Sequence, residues 1–208
     1  MTVFRTAALF IATLVLASGC KPAATPTGPT STGSGPSGIV QPTAAAAEPD
    51  AATSIAGLEK AAAKLKRDSD GFVIESDFRG LTIDDSVLEH LAGLPRLRSV
   101  LLSETAVTDA GMTAVGKVST LQNVDLRGCR ISNAGLEPLT ALSELKALRL
   151  SGESGATTVD DDGMVHVAKM KNLKALLLDF LWVSEVGLEQ LAGLDNLEEL
   201  YLAKSLVG

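Results

Sequence analysis

The chain has 208 residues, 46% of them hydrophobic, and a formal net charge of -7, which is enough apolar content to bury one domain-sized core. No basic run is longer than Lys64, Lys66 and Arg67, so the chain does not read as a protein that coats nucleic acid, a task that rests on clustered Lys and Arg neutralising phosphates. A single Trp and a single Tyr leave little for an aromatic-lined pocket, and two cysteines cannot build a disulfide framework.

Residues 1–6 carry one positive side chain, Arg5, ahead of an apolar run from Ala7 to Ala17 and then Ser18, Gly19 and Cys20. This is the layout of a secretory signal. The apolar run is about half of the roughly 20 residues that a bilayer-spanning helix needs, so a cleaved signal over residues 1–19 is expected rather than a retained anchor. The run Leu16-Ala17-Ser18-Gly19-Cys20 resembles a bacterial lipoprotein signal, with Ala17 where Leu is commoner. That resemblance implies an exported protein whose Cys20 is acylated, palmitate among the chains, and which sits lipid-anchored at the cell membrane or outer membrane. Lys21 implies outer-membrane sorting. Several acyl chains on one cysteine hold a soluble domain stably where one chain would not. Residues 20–49 are otherwise rich in Pro, Ser, Thr, Gly and Ala without an apolar period. They read as a disordered linker with a root-mean-square reach of roughly 30 Å.

Asp50 or Thr53 can start a helix in which Ile55, Leu58, Ala62 and Leu65 form an apolar stripe. A capping helix within residues 50–72 is expected, covering the open amino-terminal end of a repetitive region at 73–208.

That region is built of blocks beginning at Val73, Leu97, Leu121, Leu145, Leu173 and Leu197, at offsets of 24, 24, 24, 28 and 24. The longer offset places an inserted loop around Glu153 to Thr158. Within a block two periods succeed one another. Leu97, Val100 and Leu102 put apolar side chains on one side of a short strand, and Met112, Val115 and Val118 recur at helical spacing. Between them stands a helix-capping residue, namely Asp84, Thr108, Ser132, Asp160 and Ser184, usually followed by an acid or Asn that suits the positive end of the helix. One strand and one helix per block cannot bury their apolar faces alone, so stacking must supply the core, with a parallel sheet of about six strands on the concave side. The sixth block stops at Gly208, halfway through a repeat. Either the chain is cut short there or its last strand is an exposed edge open to self-association.

The pattern LxxLxLxxT/C followed by V-T-D-A-G-L resembles the ribonuclease-inhibitor-like, cysteine-containing class of leucine-rich repeats, which is also common in secreted planctomycete-type bacterial proteins. The resemblance implies an α/β fold: a right-handed horseshoe segment of about five strand-helix repeats and a partial sixth. It implies protein binding through the concave face and carries no active site. Thr105 and Cys129 occupy the column where such repeats place a residue that bonds neighbouring backbone, while Leu81 and Leu181 break it. Cys129 reads as buried and inert.

Chemical sites find little support. Gly111 to Val118 matches the spacing of a phosphate-binding loop, but Val118 stands where a magnesium-binding Ser or Thr is needed, and the repeat accounts for every residue. Asp160, Asp161 and Asp162 fall on helix-start columns without the alternation of a calcium loop. His90 and His166 share one column, lack a zinc spacing, and are expected to face solvent. No catalytic residue, cofactor or metal is expected, and the reading is a non-enzyme. Strand alternation sends Leu101, Arg149, Leu177, Asp179 and Tyr201 to the concave face, with Phe180 and Trp182 on the loop edge beside them. These seven are the candidate partner-binding residues. The alternatives are that Phe180 and Trp182 fill the loop core, and that the protein is a self-associating envelope component or a glycan binder.

Overall fold

A computed structural model of the chain describes residues 49–206. The expected signal, Cys20 and the linker up to residue 48 lie outside the described residues. Seven strands form one sheet in chain order, β1 (Lys64–Arg67), β2 (Val73–Asp77), β3 (Ser99–Leu101), β4 (Asn123–Asp125), β5 (Ala147–Ser151), β6 (Ala175–Asp179) and β7 (Glu199–Tyr201). From β2 onward every neighbouring pair is parallel. A parallel pair needs a crossover, and here each crossover is the second half of a repeat. The register follows the repeat offsets, with Val100, Val124, Leu148, Leu176 and Leu200 aligned across the strands. The four extra residues before β6 are therefore absorbed in the loop after β5 and shift nothing in the sheet.

The crossovers differ in helical character. Asp85–Gly93 is a 3₁₀ helix, whereas α2 (Asp109–Val115), α3 (Asn133–Leu136), α4 (Asp161–Val167) and α5 (Glu185–Gln190) are α-helical, following an N-terminal α1 (Ala52–Lys60). Helix α3 gives way to a 3₁₀ turn at Pro138, which has no N–H to continue an α-helical ladder. The core lies between sheet and helices. Leu97, Leu121 and Leu173, then Val100, Val124 and Leu148, then Leu102, Leu126 and Leu150 are fully buried from the strand side, and Met112, Val115, Met164 and Val167 meet them from the helices. No helix among the described residues is long and apolar enough to cross a membrane.

All five expected N-caps are in place. The side chains of Asp84, Thr108, Ser132, Asp160 and Ser184 each accept the N–H two residues on. The residue after the cap does something the helix-dipole reading did not foresee. Asp85, Asp109 and Asp161 reach sideways into the next repeat, where each carboxylate takes both the backbone N–H and the hydroxyl of the following cap. Thr108 N–H lies 2.8 Å from Asp85 and its hydroxyl 2.6 Å; Ser184 binds Asp161 at the same two distances; Ser132 binds Asp109 in the same way. The next cap, Asp160, is itself an acid, and the residue facing it is Asn133, whose amide donates to Asp160 Oδ1 at 2.7 Å and accepts the Asp160 N–H. The swap of acid for amide avoids two facing carboxylates. Each carboxylate or amide also needs room. A Cβ on Gly111, Gly135, Gly163 or Gly187 would come nearer than 3.0 Å to the side-chain oxygen of Asp85, Asp109, Asn133 or Asp161 respectively. The recurrent D-A-G spacing is thus a cross-repeat clasp with its clearance built in.

The amino-terminal end departs from expectation in three ways. Neither Asp50 nor Thr53 caps α1, which starts after Ala51 with no side-chain cap; Asp50 instead accepts the Val73 N–H at 2.7 Å. Helix α1 ends at Lys60, because Ala62 takes the left-handed conformation (φ 59°) and turns the chain back. Only Leu58 of the expected stripe is fully buried. Leu65 belongs instead to β1, which adds a seventh, antiparallel strand with Lys64 opposite Asp77 and Lys66 opposite Glu75. Such opposite-charge cross-strand pairs suit the solvated side of a sheet, and one Leu among three cations hides the strand pattern.

Cys129 is buried, its Sγ 3.0 Å from the Leu102 carbonyl and 3.5 Å from Thr105 Oγ1, and burial pushes its thiol up from the ordinary value. The thiolate is therefore scarce, as an inert structural cysteine requires. Thr157, supplied by the inserted loop, continues the column by donating to the Cys129 carbonyl at 2.9 Å.

Candidate interaction site

The sheet has one core side and one open side, the side expected to be concave. On the open side the middle strand position forms a continuous row. Lys64, Asp77, Leu101, Asp125, Arg149, Leu177 and Tyr201 are aligned strand by strand. Four of the seven candidate residues, Leu101, Arg149, Leu177 and Tyr201, belong to this row, and all four are half-buried. Asp179 lies one step along β6, opposite Ser151 of β5.

Charge along the row is largely answered from within. Arg79 folds back on Asp77 and Arg127 on Asp125, each as a two-pronged pair with N–O distances of 2.7–2.9 Å. The Arg79 guanidinium holds the Asp77 carboxyl below the ordinary range. Asp125 is only 2% exposed, a level a carboxylate reaches only with such a partner. Arg149 is less committed. One of its nitrogens donates to Asn123 Oδ1, and Asn123 in turn donates to Ser99, which leaves guanidinium donors for a ligand. Tyr201 donates to Glu199 at 3.3 Å, and that neighbouring charge pushes its phenol up, so the hydroxyl stays protonated. Across β5, β6 and β7 the row therefore presents a cation, an aliphatic side chain and a phenol side by side.

Beyond β2, β3, β4, β6 and β7 the chain turns through a left-handed residue at the same place, Gly80 (φ 69°), Glu104 (φ 61°), Gly128 (φ 71°), Phe180 (φ 59°) and Lys204 (φ 56°), whereas in the longer loop after β5 it is Gly155 (φ 73°) that does so. Three of these carry side chains where glycine is the unstrained choice. They line a lip along the open face. There Gly128, Glu104, Arg127, Asp179 and Phe180 surround a shallow cleft of about 380 Å³, and the Lys204 ammonium lies 5.0 Å from the Phe180 ring centre, within range of a cation-π contact.

Phe180 stands on that lip, half-buried. Trp182 does not join it: it is 72% exposed and bridges Asp160 beyond the turn, on the flank of the molecule. Neither aromatic fills the loop core. The histidines also differ from expectation. His90 is half-buried, its ring occupying the space that a Cβ on Gly57 of α1 would need, and His166 is half-buried with its Nδ1 enclosed. Among the acids weighed for calcium, Asp160 caps α4 and Asp161 clasps Ser184.

One strand and one helical segment per block, with LxxLxL columns inside and a strand register equal to the sequence offset, decide the architecture. The fold is a leucine-rich-repeat solenoid. Solved structures similar to it include internalin C2 from Listeria monocytogenes, at 17% identity over 65% of this chain and 74% of that one with a TM-score of 0.44. The leucine-rich-repeat ectodomain of the receptor kinase SOBIR1 from Arabidopsis thaliana matches at 16% identity over 76% of this chain and 96% of that one, TM-score 0.49. A third, the ectodomain of the plant receptor kinase GASSHO1/SCHENGEN3 in complex with CASPARIAN STRIP INTEGRITY FACTOR 2, matches at 17% identity over 69% of this chain, TM-score 0.49, and the solenoid spans only 17% of that chain. At such identities the likeness concerns the fold alone. No protein-family model and no curated protein matches the chain.

Proposed function

We propose that this solenoid is a non-catalytic module that binds a protein partner across the open face of its sheet while acyl chains on Cys20 tether it to a membrane. The observation that carries the reading is the alignment of Arg149, Leu177 and Tyr201 on adjacent strands, half-buried and uncovered. Arg and Tyr are among the side chains that most often dominate binding energy, and an aliphatic neighbour supplies the apolar contact between them. Asp179 and Phe180 extend this patch to the lip, and Leu101 extends it toward β2. Catalysis is disfavoured because two acids of the open face, Asp77 and Asp125, are each held by their own arginine, whereas a hydrolase needs its carboxylates free to face a substrate.

The test is affinity capture by the full chain from a cell-envelope extract, compared with a variant carrying Leu177→Ser and Tyr201→Ser. A protein partner retained by the parent and lost by the variant is the expected result. Equal capture by both chains would sink the open-face assignment. Recovery of the chain only as its own oligomers, or only on cell-wall glycan, would replace this reading with a structural or a glycan-binding one.

A further inference from the structure

All four large hydrophobic side chains that are exposed among the described residues lie in the last part of the solenoid, at Val165 (47% exposed), Trp182 (72%), Val186 (63%) and Leu206 (57%). None is on the open face of the sheet. Trp182 and Leu206 hold the same place in successive repeats, the outward position before each helix. The column is Thr82, Ala106, Arg130, Thr158, Trp182 and Leu206, and every member is exposed. Its alignment is fixed by the backbone, since Arg130, Thr158 and Leu206 donate to Val107, Ile131 and Val183 of the preceding repeat. Val186 closes a second outward column, Ser86, Ala110, Ala134, Asp162 and Val186, whose members each donate their N–H to the helix cap.

The repeats act as internal controls for one another. In both columns the exposure is the same throughout, and earlier repeats fill the positions with small, polar or charged residues. The change to Trp, Leu and Val answers no packing need, because nothing among the described residues covers these side chains. An exposed apolar cluster on a solvated flank costs solubility and marks a contact surface. Its surroundings choose the occupant. Glu185 adjoins Val186, Asp162 holds the equivalent place on the neighbouring helix, and Glu189 follows one turn later, all exposed; of the cations, Arg130 is two repeats away beyond Thr158, and Lys204, two residues before Leu206, is directed to the Phe180 ring on the lip. A second copy docking through the same patch would oppose these acids to themselves, and anionic lipid headgroups would be repelled. We propose that the flank formed by Trp182, Val186 and Leu206 is a second interface, independent of the open face, and that it takes an apolar protein segment flanked by Lys or Arg.

Trp182 is the only tryptophan in the chain, so its emission reports the flank directly. The full chain is titrated with a synthetic amphipathic helix of Leu and Lys and with a matched helix of Leu and Glu. The Leu/Lys helix is expected to shift the emission to the blue. In a Val186→Ala, Leu206→Thr variant the apparent affinity should fall at least tenfold; earlier repeats carry Ala134 and Thr158 at these positions, so the fold is preserved. A Leu177→Ser, Tyr201→Ser variant should respond as the parent does, which separates this surface from the open face. No shift, an equal shift with the Leu/Glu helix, or an unchanged affinity in the flank variant would overturn the proposal. So would a blue shift produced by phosphatidylglycerol vesicles alone or by raising the protein concentration alone, which would assign the flank to a membrane or to a second copy.

Discussion

The clasp between repeats is a residue-scale device with a charge rule. Where the cap is Thr or Ser, the facing residue is Asp; where the cap is Asp160, it is Asn133. Asn133→Asp would set two carboxylates against each other and leave the Asp160 acceptor without its amide donor. We expect a loss on the order of 1–3 kcal/mol in urea unfolding. Adding Asp160→Ser recreates the Asp-Ser pair of the other joints and should recover most of it, so the double-mutant cycle must show strong coupling; additive effects would refute the rule. The same clasp gives a pH dependence. Ser184 hydrogen bonds hold the Asp161 carboxyl below its ordinary value of 3.8, so the ionised form is favoured in the folded chain. That contribution to stability is full above the unfolded value and is lost as pH falls through the lower, folded one. Ser184→Ala should move the Asp161 titration, followed by NMR, upward toward 3.8. The clasp acids were visible in the sequence, and the reach of their side chains was not, because a sequence shows a helix start without showing what stands beside it in the next repeat.

At the scale of elements, what could be read depended on whether side-chain period and backbone agreed. The parallel strands and their caps were legible because the apolar columns of Leu97, Val100 and Leu102 recur in the later blocks, with Ser76 in the Val100 column only in the first, and because Ser, Thr and Asp stand at each cap. Strand β1 was not, since Leu65 is its only apolar residue, and α1 was overextended because Ala62 is an ordinary helix former that here turns left-handed. The same cause divided the candidate site. Strand alternation correctly aligned Leu101, Arg149, Leu177 and Tyr201, but it ceases to apply past Phe180, whose positive φ (59°) redirects the chain and sends Trp182 to the flank. A left-handed β-carbon costs roughly 1–2 kcal/mol, and glycine holds the equivalent turn at Gly80 and Gly128. Phe180→Gly should therefore leave stability unchanged or raise it by up to about 1 kcal/mol, since the relief of strain exceeds the extra freedom glycine has when unfolded. Binding across the open face should weaken in the same variant. A stability loss above about 1 kcal/mol would mean instead that the ring and Lys204 hold the turn together.

For the molecule as a whole, stability is a chain of nearest-neighbour joints rather than one central cluster. Each strand pairs only with the strands before and after it, and each clasp spans a single joint. A core side chain with a repeat on either side therefore supports two joints, whereas one in the outermost strand supports one. Leu148 in β5 is fully buried between β4 and β6; Leu65 in β1 is half-buried against β2 alone. Leu148→Ala should cost about 2–5 kcal/mol and lower the urea midpoint of the whole transition. Leu65→Ala should cost roughly 1 kcal/mol and act mainly by freeing β1 and α1. Hydrogen exchange separates the two cases: in Leu65→Ala the amides of β1 should lose protection while those of β4 and β5 keep theirs, and in Leu148→Ala protection should fall from β2 through β7 together. Equal loss throughout both variants would show one indivisible cooperative unit, and the clasps would then be fastening a core that is already continuous.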